Sequence, residues 1–176
     1  MALIVHKYGG TSMGSTERIR SVAKRVAKWS RAGHQMVVVP SAMSGETNRL
    51  LGLAKELAPE KQTPQAQREL DLIAATGEQV SVGLLALALQ AEGLQALSYA
   101  GWQVPIHTDS AYTKARIESI ADARVRADLA AGLGCVGVEY RNDLPGPLFG
   151  GTDPAKVGEA VRARGLRFLA LAEVKM

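Results

Sequence analysis

Apolar residues come in two patterns along this chain: short unbroken runs, and longer segments in which they recur every three or four positions. Leu3 to Tyr8 is a run of the first kind, rich in β-formers and broken by Gly9-Gly10, as a buried strand entering a tight turn would be. Ser15-Thr16-Glu17 then supplies capping hydroxyls and a first-turn carboxylate, and Ile19, Val22, Ala23 and Val26 recur at helical spacing until Gly33. Met36 to Val39, with three consecutive valines, predicts a strand covered on both faces. Strand, helix and strand in that order make a βαβ unit.

Leu50, Leu51, Ala54 and Leu57 predict a helix from Asn48 to Leu57, stopped before Pro59, and Pro59 to Pro64 reads as an exposed connection. Two more helices are expected, Gln65 to Ala75 and Gln79 to Ala91, the second closed by Gly93, followed by a third strand over Gln95 to Tyr99. Beyond Gly101 the pattern loosens until a helix over Ile120 to Ala131, where Asp and Arg flank Val125 and Leu129 and Gly132 supplies a stop. Cys135 to Tyr140 predicts a strand and Asn142 to Gly151 a loop. A helix should run from Asp153-Pro154 to Gly165, with a last strand over Leu166 to Leu171. No internal repeat is visible. Strands alternating with helices predict an α/β fold around a largely parallel, buried sheet.

Composition narrows the class without changing this picture. A chain of 176 residues with 47% apolar and 22% charged positions falls in the range of a folded soluble domain. The net charge of +4 comes from residues such as Arg18, Arg20, Lys24, Arg25 and Lys28, spread along one helix as a solvated face would be. No basic-aromatic module accompanies them, so nucleic-acid binding is not expected. Cys135 is the single cysteine, which rules out an intrachain disulfide and suggests the reducing cytoplasm. The apolar start reaches His6-Lys7 too soon for a signal peptide, and no run long enough to span a membrane is evident.

Three loops carry candidate chemistry. Lys7-Tyr8-Gly9-Gly10-Thr11-Ser12 ends a strand and precedes a helix: glycines let backbone N–H groups approach an anion, the helix start adds positive potential, and lysine supplies a compact cation. It is not a Walker motif, and paired glycines alone also fit a plain tight turn. Ser41-Ala42-Met43-Ser44-Gly45-Glu46-Thr47-Asn48 again links strand to helix. Its hydroxyls and helix-start N–H groups suit a phosphate or carboxylate, but taken alone the motif favours the plainer reading that Thr47 or Asn48 only caps the helix. Thr76-Gly77-Glu78-Gln79 places a carboxylate at an expected helix start, either to complement the helix dipole or to receive a substrate ammonium group.

In order, Lys-Tyr-Gly-Gly-Thr-Ser, Val-Val-Val-Pro-Ser-Ala-Met-Ser-Gly-Glu-Thr-Asn and Thr-Gly-Glu-Gln-Val-Ser strongly resemble the amino-terminal half of aspartate kinases, members of the amino-acid kinase family. Ser98 to Gln103 and Ala115-Arg116-Ile117 are similar to the same family, and the resemblance runs over residues 2 to 132. It implies a three-layer α/β/α sandwich with a mainly parallel sheet, incomplete here. It also implies ATP-dependent phosphorylation of the L-aspartate side-chain carboxylate to 4-phospho-L-aspartate, the first committed step toward lysine, threonine and methionine. By the same resemblance Lys7 stabilises charge during transfer, Lys7, Gly9, Gly10, Thr11 and Ser41 meet ATP phosphates, and Ser41, Thr47 and Glu78 meet aspartate. Mg²⁺ would be held through the ATP phosphates rather than by a protein metal site. Expected partners are L-aspartate and ATP, with no nucleic acid and no membrane; a homo-oligomer is left open.

The family's pattern would continue with Gly-Phe-x-Gly and a Gly-Arg-Gly-Gly-Ser-Asp loop, and neither is found. Gly150-Gly151-Thr152-Asp153 is similar in part, but no arginine precedes it at the right place. Residues 1–132 are therefore read as the amino-terminal part of a kinase domain and 133–176 as a divergent tail, helix plus strand, without ACT domains. The tail fits either a frameshifted end or a segment that folds against the domain. The alternative function is a catalytically inactive remnant that binds aspartate, phosphate or a sister subunit.

Overall fold

The computed structural model describes residues 1–58, 63–131 and 135–138. The first strand, β1 (Leu3–Tyr8), leads through a 3-10 turn at Gly10–Met13 into helix α1 (Thr16–Arg31). The Ser15 side chain caps α1 by accepting from the Arg18 N–H at 3.3 Å, and Gly33 follows the helix at φ +85°, the left-handed position glycine takes without strain. Strand β2 (Gln35–Pro40) runs parallel to β1, with Val5 opposite Val37 and Tyr8 opposite Pro40. Helices α2 (Glu46–Leu57) and α3 (Pro64–Ala91) precede β3 (Ala96–Tyr99). Then come β4 (Ile106–Thr108), β5 (Ile117–Ile120), α4 (Ala123–Ala130) and β6 (Cys135–Val138).

The main sheet has the order β1-β2-β6-β3 and is parallel throughout, as the alternation of strands and helices predicts. Side chains leave each strand to alternate faces, and the two faces have different covers. Ile4, Met36, Val38 and Ala96 pack with Ile19, Val22, Ala23 and Val26 of α1 and Leu85 and Leu89 of α3. Leu3 and Val37 point the other way, onto Tyr99, Val104, Val125 and Leu129, so that α4 forms the third layer. Gln35 Nε2 donates to the Leu129 carbonyl at 2.9 Å and the Tyr99 hydroxyl bonds Asp128, tying α4 to the sheet. The arrangement is an incomplete α/β/α sandwich.

Three expectations need correction. The segments Gln65–Ala75 and Gln79–Ala91 form one helix of 28 residues, so Thr76-Gly77-Glu78 lies inside a helix and not at its start. A lone glycine costs a helix only about 1 kcal/mol relative to alanine, which is too little to break one that is packed along its length. Second, α3 is by length and composition apolar enough to cross a membrane, with a mean hydropathy of 1.7 over its best window, contrary to the expectation that no such segment exists. Its inner face, from Ala74 through Ser81 and Leu85 to Leu89, is nevertheless buried against the sheet and its neighbouring helices, as in the core helix of an α/β domain. Third, β4 and β5 form an antiparallel hairpin where only loose structure and a helix starting at Ile120 were expected. All of β5 is exposed, so no burial imposes the alternation by which a strand is read from sequence. The expected connection at 59–62, the stop at Gly132, the loop over 142–151, the helix after Asp153 and the strand from Leu166 lie outside the described residues.

Two measurements probe this core. Leu89 is 1% exposed, and Leu89→Ala is expected to lower unfolding free energy by about 2–5 kcal/mol in urea titration. His6 shares a hydrogen bond of 3.2 Å with the Tyr8 hydroxyl, and burial, with the nearby Arg25 charge, holds its pKa below the ordinary 6.5. The unfolded chain then binds the proton more readily, so this stability is complete above pH 6.5 and is lost as the pH falls below it. In His6→Gln, the urea midpoint should change less between the two sides of pH 6.5 than in the parent.

Candidate active site

Two loops leave the carboxyl ends of neighbouring parallel strands and meet. Because Tyr8 and Pro40 are register partners, the loop after β1 and the loop after β2 start side by side, and the Ser41 N–H donates to the Tyr8 carbonyl at 2.8 Å. Ligands of open parallel sheets bind at this edge. Between the loops lies a cleft of about 270 Å³ lined by Lys7, Gly9, Gly10, residues 41–45, Thr47 and Asn48.

Each loop is shaped locally. Gly9 is extended, and a Cβ built on it would stand 3.8 Å from Lys7 Nζ, so the ammonium folds back toward Gly9. The Ser12 N–H donates to the Gly9 carbonyl at 3.0 Å and closes the 3-10 turn. In the second loop Gly45 adopts φ +80° as N-cap of α2, and no side chain caps that helix. Thr47 and Asn48 therefore do not serve as the cap; they sit in the first turn of α2 and line the cleft. The helix terminus at the cleft is that of α2, since the 3-10 turn separates the glycines from α1. Arg49 donates to both oxygens of Glu46 at 2.9 and 2.7 Å, and these hydrogen bonds lower the Glu46 pKa. The pair offsets the charge of a carboxylate in the first turn of α2, beside the cleft.

The loops are held together by close backbone approach. A Cβ on Gly10 would lie 3.1 Å from the Ala42 carbonyl oxygen, and one on Gly14 would lie 3.3 Å from Ser44 Cβ. From behind, α3 closes the arrangement: a Cβ on Gly77 would meet Ala42 Cβ at 3.0 Å. Glu78, 1% exposed, accepts from the Ala42 N–H through Oε1 at 3.1 Å. A buried carboxylate in mid-helix cannot act as a helix-start charge, which removes the dipole reading for this residue.

Of the residues singled out from the sequence, Lys7, Gly9, Gly10, Ser41 and Thr47 line one cleft. Thr11 lies in the adjoining 3-10 turn and offers its carbonyl to Arg18 at 2.6 Å, and Glu78 sits behind the loop, joined to it through Ala42. Ser44 and Asn48 also line the cleft. The sequence gives neither a ligand-binding role, because hydroxyl and amide side chains near a helix start are equally at home as caps.

The amino acid kinase family's model matches residues 2–170. The chain belongs to that family. Among curated proteins it is 52% identical over 165 residues to an aspartate kinase of Pseudomonas fluorescens, a match covering 91% of this chain and 40% of the relative. The chain thus spans about 40% of the length of the curated relatives it matches. Among solved structures it resembles the aspartate kinase of Synechocystis, with a TM-score of 0.66 and 35% identity over 93% of this chain and 27% of that one. It also resembles aspartokinase III of E. coli, solved in complex with aspartate and ADP. There the TM-score is 0.62 at 21% identity, over 79% of this chain and 40% of the other, which speaks to the fold alone. The resemblance to aspartate kinases read from the three loops therefore holds across most of the chain.

The packing at Gly10 yields a contrast to test. Gly10→Ala forces its methyl toward a backbone oxygen and is expected to cost about 1–3 kcal/mol in urea unfolding. Gly9→Ala meets only an ordinary contact and should stay within about 0.5 kcal/mol of the parent.

Proposed function

We propose that this chain carries the phosphate and acceptor loops of an aspartate kinase, which transfers the γ-phosphoryl group of ATP to the side-chain carboxylate of L-aspartate. The observation behind this reading is the single cleft into which Lys7, Gly9, Gly10, Ser41 and Thr47 converge from two adjacent strand ends. The similarity to aspartate kinases at 52% identity supports it.

Phosphoryl transfer depends on in-line placement and charge neutralisation more than on covalent chemistry by the protein. In this reading the Lys7 ammonium stabilises charge on the transferred group, Gly9 and Gly10 admit the phosphate oxygens, and Thr11 lies at the margin of the phosphate site. Ser41 stands where donor and acceptor meet. The Thr47 hydroxyl takes aspartate, and the Glu78 carboxylate stands behind the second loop, joined to it through Ala42. An aspartate carboxylate oxygen forms the new bond to the γ-phosphorus as the bond to the bridging oxygen breaks, and ADP leaves with that electron pair. The cleft lining contains hydroxyls, amides and one lysine but no carboxylate, which is not a ligand set for Mg²⁺. The ion belongs to this reading as part of the ATP substrate, and no step is assigned to a protein-held metal.

The same reading makes this chain the amino-terminal part of a kinase domain and places the protein in the cytoplasm. The test is incubation with ATP, Mg²⁺, L-aspartate and hydroxylamine. Aspartyl hydroxamate should form, and Lys7→Met should form it about 100-fold more slowly, the loss typical of removing one charge-stabilising donor. No hydroxamate from the parent chain at high concentration overturns the activity. Calorimetry showing aspartate binding without nucleotide binding would then favour the inactive remnant.

A further inference from the structure

We infer that Glu78 positions the loop between β2 and α2, and through it the phosphate side of the cleft, by way of the Ala42 amide. Two segments distant in sequence, α3 and the loop after β1, meet three different atoms of Ala42. Glu78 Oε1 accepts from its N–H at 3.1 Å across 36 residues of chain, Gly77 abuts its Cβ, and Gly10 abuts its carbonyl oxygen. Ser41 on one side of Ala42, and Met43, Ser44 and Gly45 on the other, line the cleft, whereas Glu78 does not. The carboxylate lies on the buried face of α3 with Ala74, Ser81 and Val82, where taking a hydrogen-bond partner away from a polar group is costly. Moving Ala42 would therefore move every hydroxyl that the second loop presents.

This positioning role rests on the reading of the cleft as a phosphate site, and it is separable from a role on the substrate ammonium. An ammonium needs the negative charge of Glu78, whereas an amide N–H needs only an acceptor oxygen at the right reach. Glu78→Gln keeps the reach and the oxygen without the charge, and Glu78→Ala keeps neither.

The experiment combines amide hydrogen exchange at Ala42, read by NMR, with titration of inorganic tripolyphosphate into the full chain. In Glu78→Ala, exchange at Ala42 should be about tenfold faster and tripolyphosphate binding about tenfold weaker, the scale of one lost buried hydrogen bond. In Glu78→Gln both should stay within about threefold of the parent. Equal losses in the two variants, or unchanged exchange in Glu78→Ala, overturn the proposal. Should Glu78→Ala fail to fold, Gly77→Ala replaces it: the carboxylate stays while the new methyl displaces Ala42, and faster exchange there is expected. Unchanged exchange in Gly77→Ala is then the contrary result. A parent chain that binds no tripolyphosphate removes the phosphate reading of the cleft and leaves the exchange comparison to decide the positioning role.

Discussion

The hydrogen bond from the Ala42 amide to Glu78 is the interaction on which the rest of the site depends. It joins the middle of a long core helix to a loop at the carboxyl edge of the sheet, and it does so away from water, where a lost partner is costly. Around it the chain has removed side chains wherever they would intrude. Gly77 lets α3 approach the loop at the Ala42 side chain, and Gly10 lets the first loop approach the same residue at its carbonyl. Neither glycine is at a left-handed backbone position, so closeness rather than conformational freedom explains both.

This clamp needs a rigid support, and the sheet provides it. Parallel pairing of β1 with β2 brings two loops to the same edge, and covering the sheet by α1 and α3 on one face and α4 on the other fixes the strands. Because α3 contributes both Leu85 and Leu89 to the core and Glu78 to the loop, packing of its carboxyl-terminal half sets where that carboxylate stands. Glu78 and these leucines share one unbroken stretch of α3, so the core carries the carboxylate to the loop.

The electrostatic layout of the cleft follows from the same geometry. Lys7 brings its ammonium near Gly9, the first turn of α2 faces the opening, and Arg49 engages the one carboxylate in that turn. Glu78, the other nearby acid, stays behind the loop. A cleft with one cation, free hydroxyls and a helix amino-terminus at its mouth favours an anion over a cation.

Much of this was legible in the amino-acid order. The runs at Leu3 to Tyr8 and Met36 to Val39, the helical spacing of Ile19 to Val26, and the stops at Gly33 and Gly93 are local signals, because strand burial, helix periodicity and left-handed turns each act within a few residues. The same order of loops was enough to identify the family. Tertiary structure alone decided what Thr76-Gly77-Glu78 does. A glycine and an acid in sequence look like a helix boundary, and only the nearness of Ala42 turns them into a packing surface and a hydrogen-bond acceptor within one continuous helix. The exposed hairpin of β4 and β5 escaped for the opposite reason: a strand that buries neither face leaves no pattern in its residues, so its pairing exists only in three dimensions.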